Sequence, residues 1–278
     1  MNIGIVGNGY VGQATALLKT GGTQVLTWDV DEKKRNIRKF EELKKSDLVF
    51  VCVPTPMEKD GSCHLDIVES VVSDLIGLGI KTQDIVVRST VPVGTCKRLG
   101  VSFMPEFLTE ANWKSDFENN SNLIFGFDAP QTWEEKLLGD LSSEKMMTLA
   151  VALEKKVKLL TTEEAELVKY VRNTFLATKV SFFNEIEEFC RNLNISYENV
   201  RQGTCLDKRI DSSHTQVPGP DGKRGYGGTC FPKDVASLLH QMLDQKMLPM
   251  VLTHVRTRNI EVDRPEKDWE NNKGRAVV

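Results

Sequence analysis

Asn2 to Val6 is a short apolar run that breaks into Gly7-Asn8-Gly9-Tyr10-Val11-Gly12 and continues as an apolar helical stretch to Leu18. A strand, a G-x-G-x-x-G turn and a helix in direct succession restrict the fold more than any other feature of the chain. Gly7 allows the tight turn, Gly9 lets a pyrophosphate approach the backbone, and Gly12 lets helix and strand pack closely. Tyr10 and Val11 then open a helix whose N-terminus favours phosphate charge. A second strand, Gln24 to Trp28, ends at Asp29. An acid at this point accepts hydrogen bonds from an adenosine ribose and repels a 2′-phosphate, so NAD is expected rather than NADP, and Asp31 adds to that bias.

The alternation continues. Asp47 to Val53 is a near-continuous apolar strand, as expected where helices cover both faces of a sheet. Further strands are expected at Asp84 to Val87, Val101 to Met104, Asn122 to Phe127 and Val157 to Leu160, with helical stretches between most of them. This is the pattern of an α/β fold with an open, mostly parallel, doubly wound Rossmann-type sheet. Pro54-Thr55-Pro56 and Ser89-Thr90-Val91-Pro92 follow the third and fourth strands, at the edge where such sheets bind ligands.

The second half is helical. Thr161 and Glu164 have capping-box spacing, and a long helix is predicted from there to about Leu193. Its apolar stripe, Val168, Val171, Phe175, Phe182, Ile186, Phe189 and Leu193, is read as core or as a subunit interface. Lys169 and Asn173 share one face beside it. The organisation expected is a dinucleotide-binding domain over 1–162, a helical domain over 163–255 and a charged surface extension or docking arm over 256–278.

Lys+Arg of 36 against Asp+Glu of 39 gives a net charge of −3, which offers no basic surface for nucleic acid. No apolar run approaches the ~20 residues that span a bilayer, and no signal peptide precedes Met1, so a cytoplasmic protein is expected. Six cysteines without close metal-ligand spacing suggest reduced thiols and no metal site.

One of these thiols stands apart. Gly225-Tyr226-Gly227-Gly228-Thr229-Cys230-Phe231-Pro232-Lys233-Asp234 is a glycine-loosened loop that delivers Cys230 to the start of an amphipathic helix, with Pro232 suited to its first turn. The helix dipole and nearby amide donors favour the thiolate there, and Lys233 and Asp234 add charges that could orient it. A dinucleotide site and an activated thiol in one chain suggest oxidation of an aldehyde through a covalent thiohemiacetal.

The segments GIVGNGYVGQA, VFVCVPTP, RSTVPVGT, MPEFLTE, AELVKYVRNTFLATKVSFFNE and GYGGTCFPKD, in this order, resemble the UDP-glucose/GDP-mannose dehydrogenase family over nearly the whole chain. The resemblance implies a Rossmann-type domain followed by a helical domain with a long central helix. It also implies NAD-dependent, four-electron oxidation of the carbon-6 hydroxyl of a nucleotide sugar, UDP-glucose to UDP-glucuronate being the expected case. Cys230 matches the family's nucleophile and Glu106 its acid/base for thioester hydrolysis. Lys169 and Asn173 match the pair that stabilises the oxyanion at carbon 6, a task suited to a cation and an amide donor. Asp234 and Thr90 match residues that orient water and support proton transfer.

By the same resemblance, Pro54, Thr55, Ser89, Thr90 and Glu110 join the glycine turn and Asp29 on the cofactor, with Glu110 near the nicotinamide. Phe107, Leu108, Tyr226 and Gly227 join Glu106, Lys169 and Asn173 around the sugar. Arg209 matches an arginine that reaches a neighbouring subunit's sugar nucleotide, and a homodimer or higher homo-oligomer through the long helix is expected.

The sequence departs from the family pattern in three places. The connection from Asp29 to the third strand is short, and Arg88 and Met104 stand where many members carry lysine and a small polar residue. The family normally continues into a further α/β domain that closes over the nucleotide, and here the sequence stops at Val278. A partner subunit, the Val217 to Gly222 loop or the charged tail is expected to supply the missing contacts. Two other readings follow from these departures. A single-step hydroxyacid-type dehydrogenase would make one NADH per substrate without a thiol, and a catalytically weak NAD-binding module would act in assembly or regulation.

Overall fold

The computed structural model describes residues 1–128 and 141–278, and the side chains of all of these but 141 and 142. Two compact units are present: Met1–Thr55 with His64–Lys169, and Pro56–Cys63 with Tyr170–Val278.

The first unit is built on a seven-stranded sheet of order β2-β1-β3-β4-β5-β6-β7. Its strands are β1 (Asn2–Val6), β2 (Gln24–Trp28), β3 (Leu48–Val51), β4 (Ile85–Val87), β5 (Ser102–Phe103), β6 (Asn122–Gly126) and β7 (Lys156–Leu160). β1 to β5 pair in parallel, β6 runs antiparallel to β5, and β7 is parallel to β6. Alternate residues feed two apolar layers. Val49, Val51, Ile85 and Val87 face the layer that contains Val68, Val72 and Leu75 of α2 (Asp66–Gly77) and Cys96 of α3 (Thr95–Leu99). Ile3, Ile5, Leu48, Phe50 and Val86 face the opposite layer. That layer is closed by Ala14 of α1 (Tyr10–Ala16), Phe117 of α4 (Trp113–Asn119) and Leu149 of α5 (Leu141–Ala152). β3 and β4 are buried on both faces, which is why they read as continuous apolar runs.

The order reverses at β1, whose neighbours β2 and β3 lead away on either side, so the crevice for a ligand lies at the C-terminal ends of β1 and β3. The connection from β2 to β3 contains no α-helix. It holds only the 3₁₀ turns Glu32–Lys34 and Phe40–Lys45. Phe40 closes edge-on against Trp28, and Asn36 clasps β2 directly. Its Oδ1 accepts the Thr27 N–H at 2.7 Å and its Nδ2 donates to the Val25 carbonyl at 2.9 Å.

The helix α6 (Thr162–Asn192) begins in the first unit and belongs to the second from Tyr170 onward. Its start is the capping box anticipated from sequence: Glu164 N–H donates to Thr161 Oγ1 at 3.2 Å, and Thr161 N–H donates to the Glu164 carboxylate at 2.9 Å. The second unit also contains α7 (Tyr197–Cys205), α8 (Phe231–Asp244) and α9 (Met250–Arg258), and α6 packs with the last two. Ala177, Tyr226, Val235 and Val255 form one small core, and Tyr170, Leu238 and Leu252 another.

One expectation loses its core alternative here, and another changes. Val171, Phe175, Phe182, Phe189 and Leu193 of the apolar stripe are 52% to 65% exposed, so the core of this chain does not use them. The charged segment 256–278 is not a bare surface extension. It forms a π-turn (Asn259–Asp263) and a 3₁₀ turn (Asp268–Asn271), and it buries Asn259, Arg264, Trp269 and Ala276. Mixed charge hid this, because Asp263, Arg264 and Asp268 also reach Arg224, Asp221 and Lys223, about 40 residues earlier in the chain. No described helix is long and apolar enough to cross a membrane. None of the six cysteines forms a disulfide, and no cluster suited to a metal occurs among the described residues.

Candidate active site

The glycine turn has the geometry its spacing implies. Gly7 has φ +90°, and a Cβ there would stand 2.5 Å from the Cys52 carbonyl oxygen. A Cβ on Gly12 would collide with the Gly7 carbonyl oxygen, whereas one on Gly9 would face open space. Two glycines are therefore required by packing, and the third leaves room for a ligand over the Tyr10 and Val11 amides. Asp29, at the end of β2, is fixed by two backbone donors: Asn8 N–H to Oδ2 at 2.6 Å and Asp31 N–H to Oδ1 at 2.9 Å. Each oxygen keeps a lone pair for a diol, so the residues present fit a dinucleotide.

The loops at the same sheet edge are tied to each other. Ser89 Oγ donates to the Val53 carbonyl at 2.7 Å, tying the loop after β4 to the loop after β3. Thr55 and Thr90 are buried, and Pro54 is exposed. Glu110 lies exposed beyond the Glu106–Leu108 segment, in which Phe107 and Leu108 are half-buried.

Glu106 and Lys169 form a buried ion pair, 5% and 3% exposed. Lys169 Nζ also donates to the Glu106 backbone carbonyl at 3.0 Å, and Glu106 Oε2 accepts the Leu108 N–H at 2.9 Å. Burial raises the Glu106 carboxyl, but the charge and hydrogen bond of Lys169, the Leu108 amide and the charge of Arg88 outweigh it, and the group titrates below its ordinary range. Glu106 is thus ionised at neutral pH, the state a proton acceptor needs.

Arg88, which the sequence marks only as a departure, is buried behind this pair and donates to Thr15 Oγ1 at 2.9 Å. Burial lowers its pKa, and its Nε has no hydrogen-bond partner. A second residue that sequence reasoning missed is Glu166. It accepts the Gly94 N–H at 2.6 Å and the Cys96 N–H at 2.8 Å, so it pins the loop after β4 to the first turns of α6. Burial pushes its carboxyl up to about 7. The signal for it was an acid three residues before Lys169 in a helical register that turns inward.

Cys230 caps α8 in the second unit, with Pro232 in the first turn. Behind it lies a buried polar chain. Asp234 is 1% exposed and accepts the Asn173 Nδ2–H at 2.6 Å and the Lys233 Nζ–H at 2.6 Å. Burial would lower the Lys233 ammonium, but Asp234, Cys230 and Cys63 together hold its pKa above the usual value. Lys169 and Asn173, one turn apart on α6, thus end on different carboxylates, Glu106 and Asp234.

The remaining sequence candidates sit differently. The Tyr226 ring is buried in the small core, edge-on to Phe231, and burial raises its phenol. Gly227 is covered by Arg264. Arg209 is 88% exposed and forks onto Asp207 at 3.0 and 3.1 Å from Nε.

Residues 36–141 match the NAD-binding domain of the UDP-glucose/GDP-mannose dehydrogenase family, and residues 163–261 match its central domain. A UDP-glucose 6-dehydrogenase of Pseudomonas aeruginosa is 35% identical over 79% of this chain and 49% of its own length. One from Rickettsia bellii is 32% identical over 95% of this chain and 69% of its own. The chain therefore spans about half of the first relative and about two thirds of the second. The structure of a UDP-glucose dehydrogenase from Pyrobaculum islandicum superposes with a TM-score of 0.75 at 25% identity, over 93% of this chain and 67% of that one. With a Rossmann-type sheet, a buried acid-lysine pair and a helix-capping cysteine in the matched order, this chain belongs to the UDP-glucose/GDP-mannose dehydrogenase family and carries its NAD-binding and central domains.

Proposed function

We propose that this protein oxidises the carbon-6 hydroxyl of a nucleotide sugar, UDP-glucose, to the carboxylate through a covalent intermediate on Cys230. The observation that carries the proposal is the thiol at the head of α8 with the buried Lys233–Asp234–Asn173 chain behind it. A single-step alcohol dehydrogenase has no chemical use for such a thiol. The glycine turn and Asp29 would hold NAD, which would supply the hydride acceptor for each of the two oxidations.

The chain's own residues do the rest. Cys230 adds to the aldehyde as thiolate, forming a carbon–sulfur bond and an oxyanion that becomes the thiohemiacetal. Lys169 and Asn173 donate to that oxygen as its charge develops. Oxidation gives a thioester. Glu106, ionised at neutral pH, takes a proton from the water that attacks it, and Asp234 and Thr90 orient that water. The reading extends to a homodimer or higher homo-oligomer. The exposed α6 stripe is the surface offered to a second copy, and Arg209 reaches the neighbour's sugar nucleotide.

The test is to supply NAD with limiting UDP-glucose and count NADH. Two per sugar supports the double oxidation. One per sugar indicates the hydroxyacid-type reaction, and none with NAD binding intact indicates a non-catalytic module. Phe182→Glu with light scattering tests the assembly: a protein that stays oligomeric does not use this stripe.

A further inference from the structure

The turn that delivers Cys230 is held from outside its own element. Asn259, fully buried at the start of the π-turn, grips Tyr226 by both its main-chain groups. Its Oδ1 accepts the Tyr226 N–H at 2.8 Å, and its Nδ2 donates to the Tyr226 carbonyl at 2.9 Å. Asn184 of α6 accepts the Gly225 N–H at 3.1 Å. Arg264 lies across Gly227, with Nε and Nη2 2.7 Å from where a Cβ on that glycine would stand. The guanidinium cannot step aside. Its Nε and Nη2 donate to Asp268 at 2.8 and 2.7 Å, and Nη2 also meets Asp221 at 2.7 Å.

The far end of the same segment reaches α8 by another route. Met57 N–H donates to the Ala276 carbonyl at 2.9 Å, and Val278 N–H donates to the Met57 carbonyl at 3.1 Å. Met57 also bridges to Cys63, and between them a Cβ on Gly61 would sit 3.5 Å from Ala236 Cβ on α8. The last residues therefore touch both sides of the cysteine: the glycine turn before it and, through the Met57–Cys63 loop, the helix after it.

We propose that residues 259–278 are a strap that fixes the direction of the Cys230 thiol, with Asn259 and Arg264 as positioning residues for it. A turn with Gly225 at φ +64° and Gly228 at φ +73° has many alternative paths, and external bonds must remove them. The interior amide of Asn259 has no other evident task. Gly227 has no side chain because the strap's guanidinium takes the space. The inference rests on the reading of Cys230 as nucleophile.

The test uses the full chain with Asn259→Ala, Asn259→Asp, Arg264→Gln and Arg264→Lys, each checked for folding by thermal melt. Iodoacetamide alkylation of Cys230, followed peptide by peptide against pH, is measured beside kcat and KM. Asn259→Ala and Arg264→Gln should displace the Cys230 pH profile and lower kcat by about 10- to 100-fold, with the KM for NAD unchanged. Arg264→Lys should recover part of the loss. Should Asn259→Ala fail to fold, Arg264→Gln decides, since it leaves both Asn259 hydrogen bonds to Tyr226 in place. Folded variants with the wild-type thiol profile and kcat overturn the strap. The nucleophile reading fails separately, if Cys230→Ser retains turnover while the strap variants still alter alkylation.

Discussion

The interior of the sheet unit and the surroundings of Cys230 are filled by opposite means. Ile3, Ile5, Leu48, Phe50 and Phe125 are fully buried apolar residues that interlock without direction. Around Cys230 the buried groups are Asn173, Asp234, Asn259, Asp263 and Arg264, and each needs a partner at hydrogen-bond distance. Apolar burial tolerates exchange of shape for shape, whereas a buried polar group left alone costs its full desolvation. The sheet is a frame, and the cysteine loop is a fixture held by directed bonds. Where the sheet unit does bury charge, at Glu106, Lys169, Arg88 and Glu166, it does so beside its ligand edge.

The sharpest break of this contrast is chemical. Cys230→Ser should leave the frame intact and reduce NADH formation from UDP-glucose by at least about 10³-fold, read in a coupled-free absorbance assay. Turnover near the wild-type rate would remove the covalent route. Lys169→Met comes next, because it strands Glu106 in the interior. Urea denaturation should register a loss of about 3–5 kcal/mol. Adding Glu106→Gln to that variant should restore part of it, and failure to do so would mean that the pair is not coupled.

Gly12→Ala tests the frame itself. Its Cβ meets the Gly7 carbonyl oxygen, so strain of about 1–3 kcal/mol and loss of NAD affinity are expected, the latter by fluorescence titration. A variant that binds NAD normally would show that the turn can relax.

The smallest effect is a slope. Folded Glu166 keeps its proton up to about 7, while the ordinary value is 4.5. Between these values the folded chain holds the extra proton, so stability present below about 4.5 is lost as pH rises through about 7. The groups facing it are Cys96, which donates to it through its amide and thiol, and Glu163, whose charge raises it further. Glu166→Gln should flatten the dependence of the urea midpoint across that window, and an unchanged slope would assign the titration elsewhere.

The same contrast explains what could be read in advance. β1, β2, the glycine turn and the Thr161–Glu164 cap announce themselves because their signals lie within a few residues of each other. Cys230, Lys169, Asn173, Glu106 and Asp234 were all legible through motif resemblance, but which carboxylate Lys169 and Asn173 would each meet was not. Glu106 lies 63 residues from Lys169, and Asp234 lies 61 from Asn173. Nothing local distinguishes Asn259 or Arg264 from other residues of a mixed-charge stretch, since their meaning depends on a turn 33 residues away. The α6 stripe shows the converse. Its period marks one face correctly but cannot say what covers that face.

The short β2–β3 connection also decides how the sheet ends. β2 is an edge strand, and an open edge is a template on which any extended chain can align and aggregate. Asn36 occupies that edge as a one-residue mimic of a neighbouring strand, consuming the Thr27 amide and the Val25 carbonyl. What was shortened in the crossover thus serves as a guard, and the sheet is sealed on this side against strand addition without spending an additional element on it.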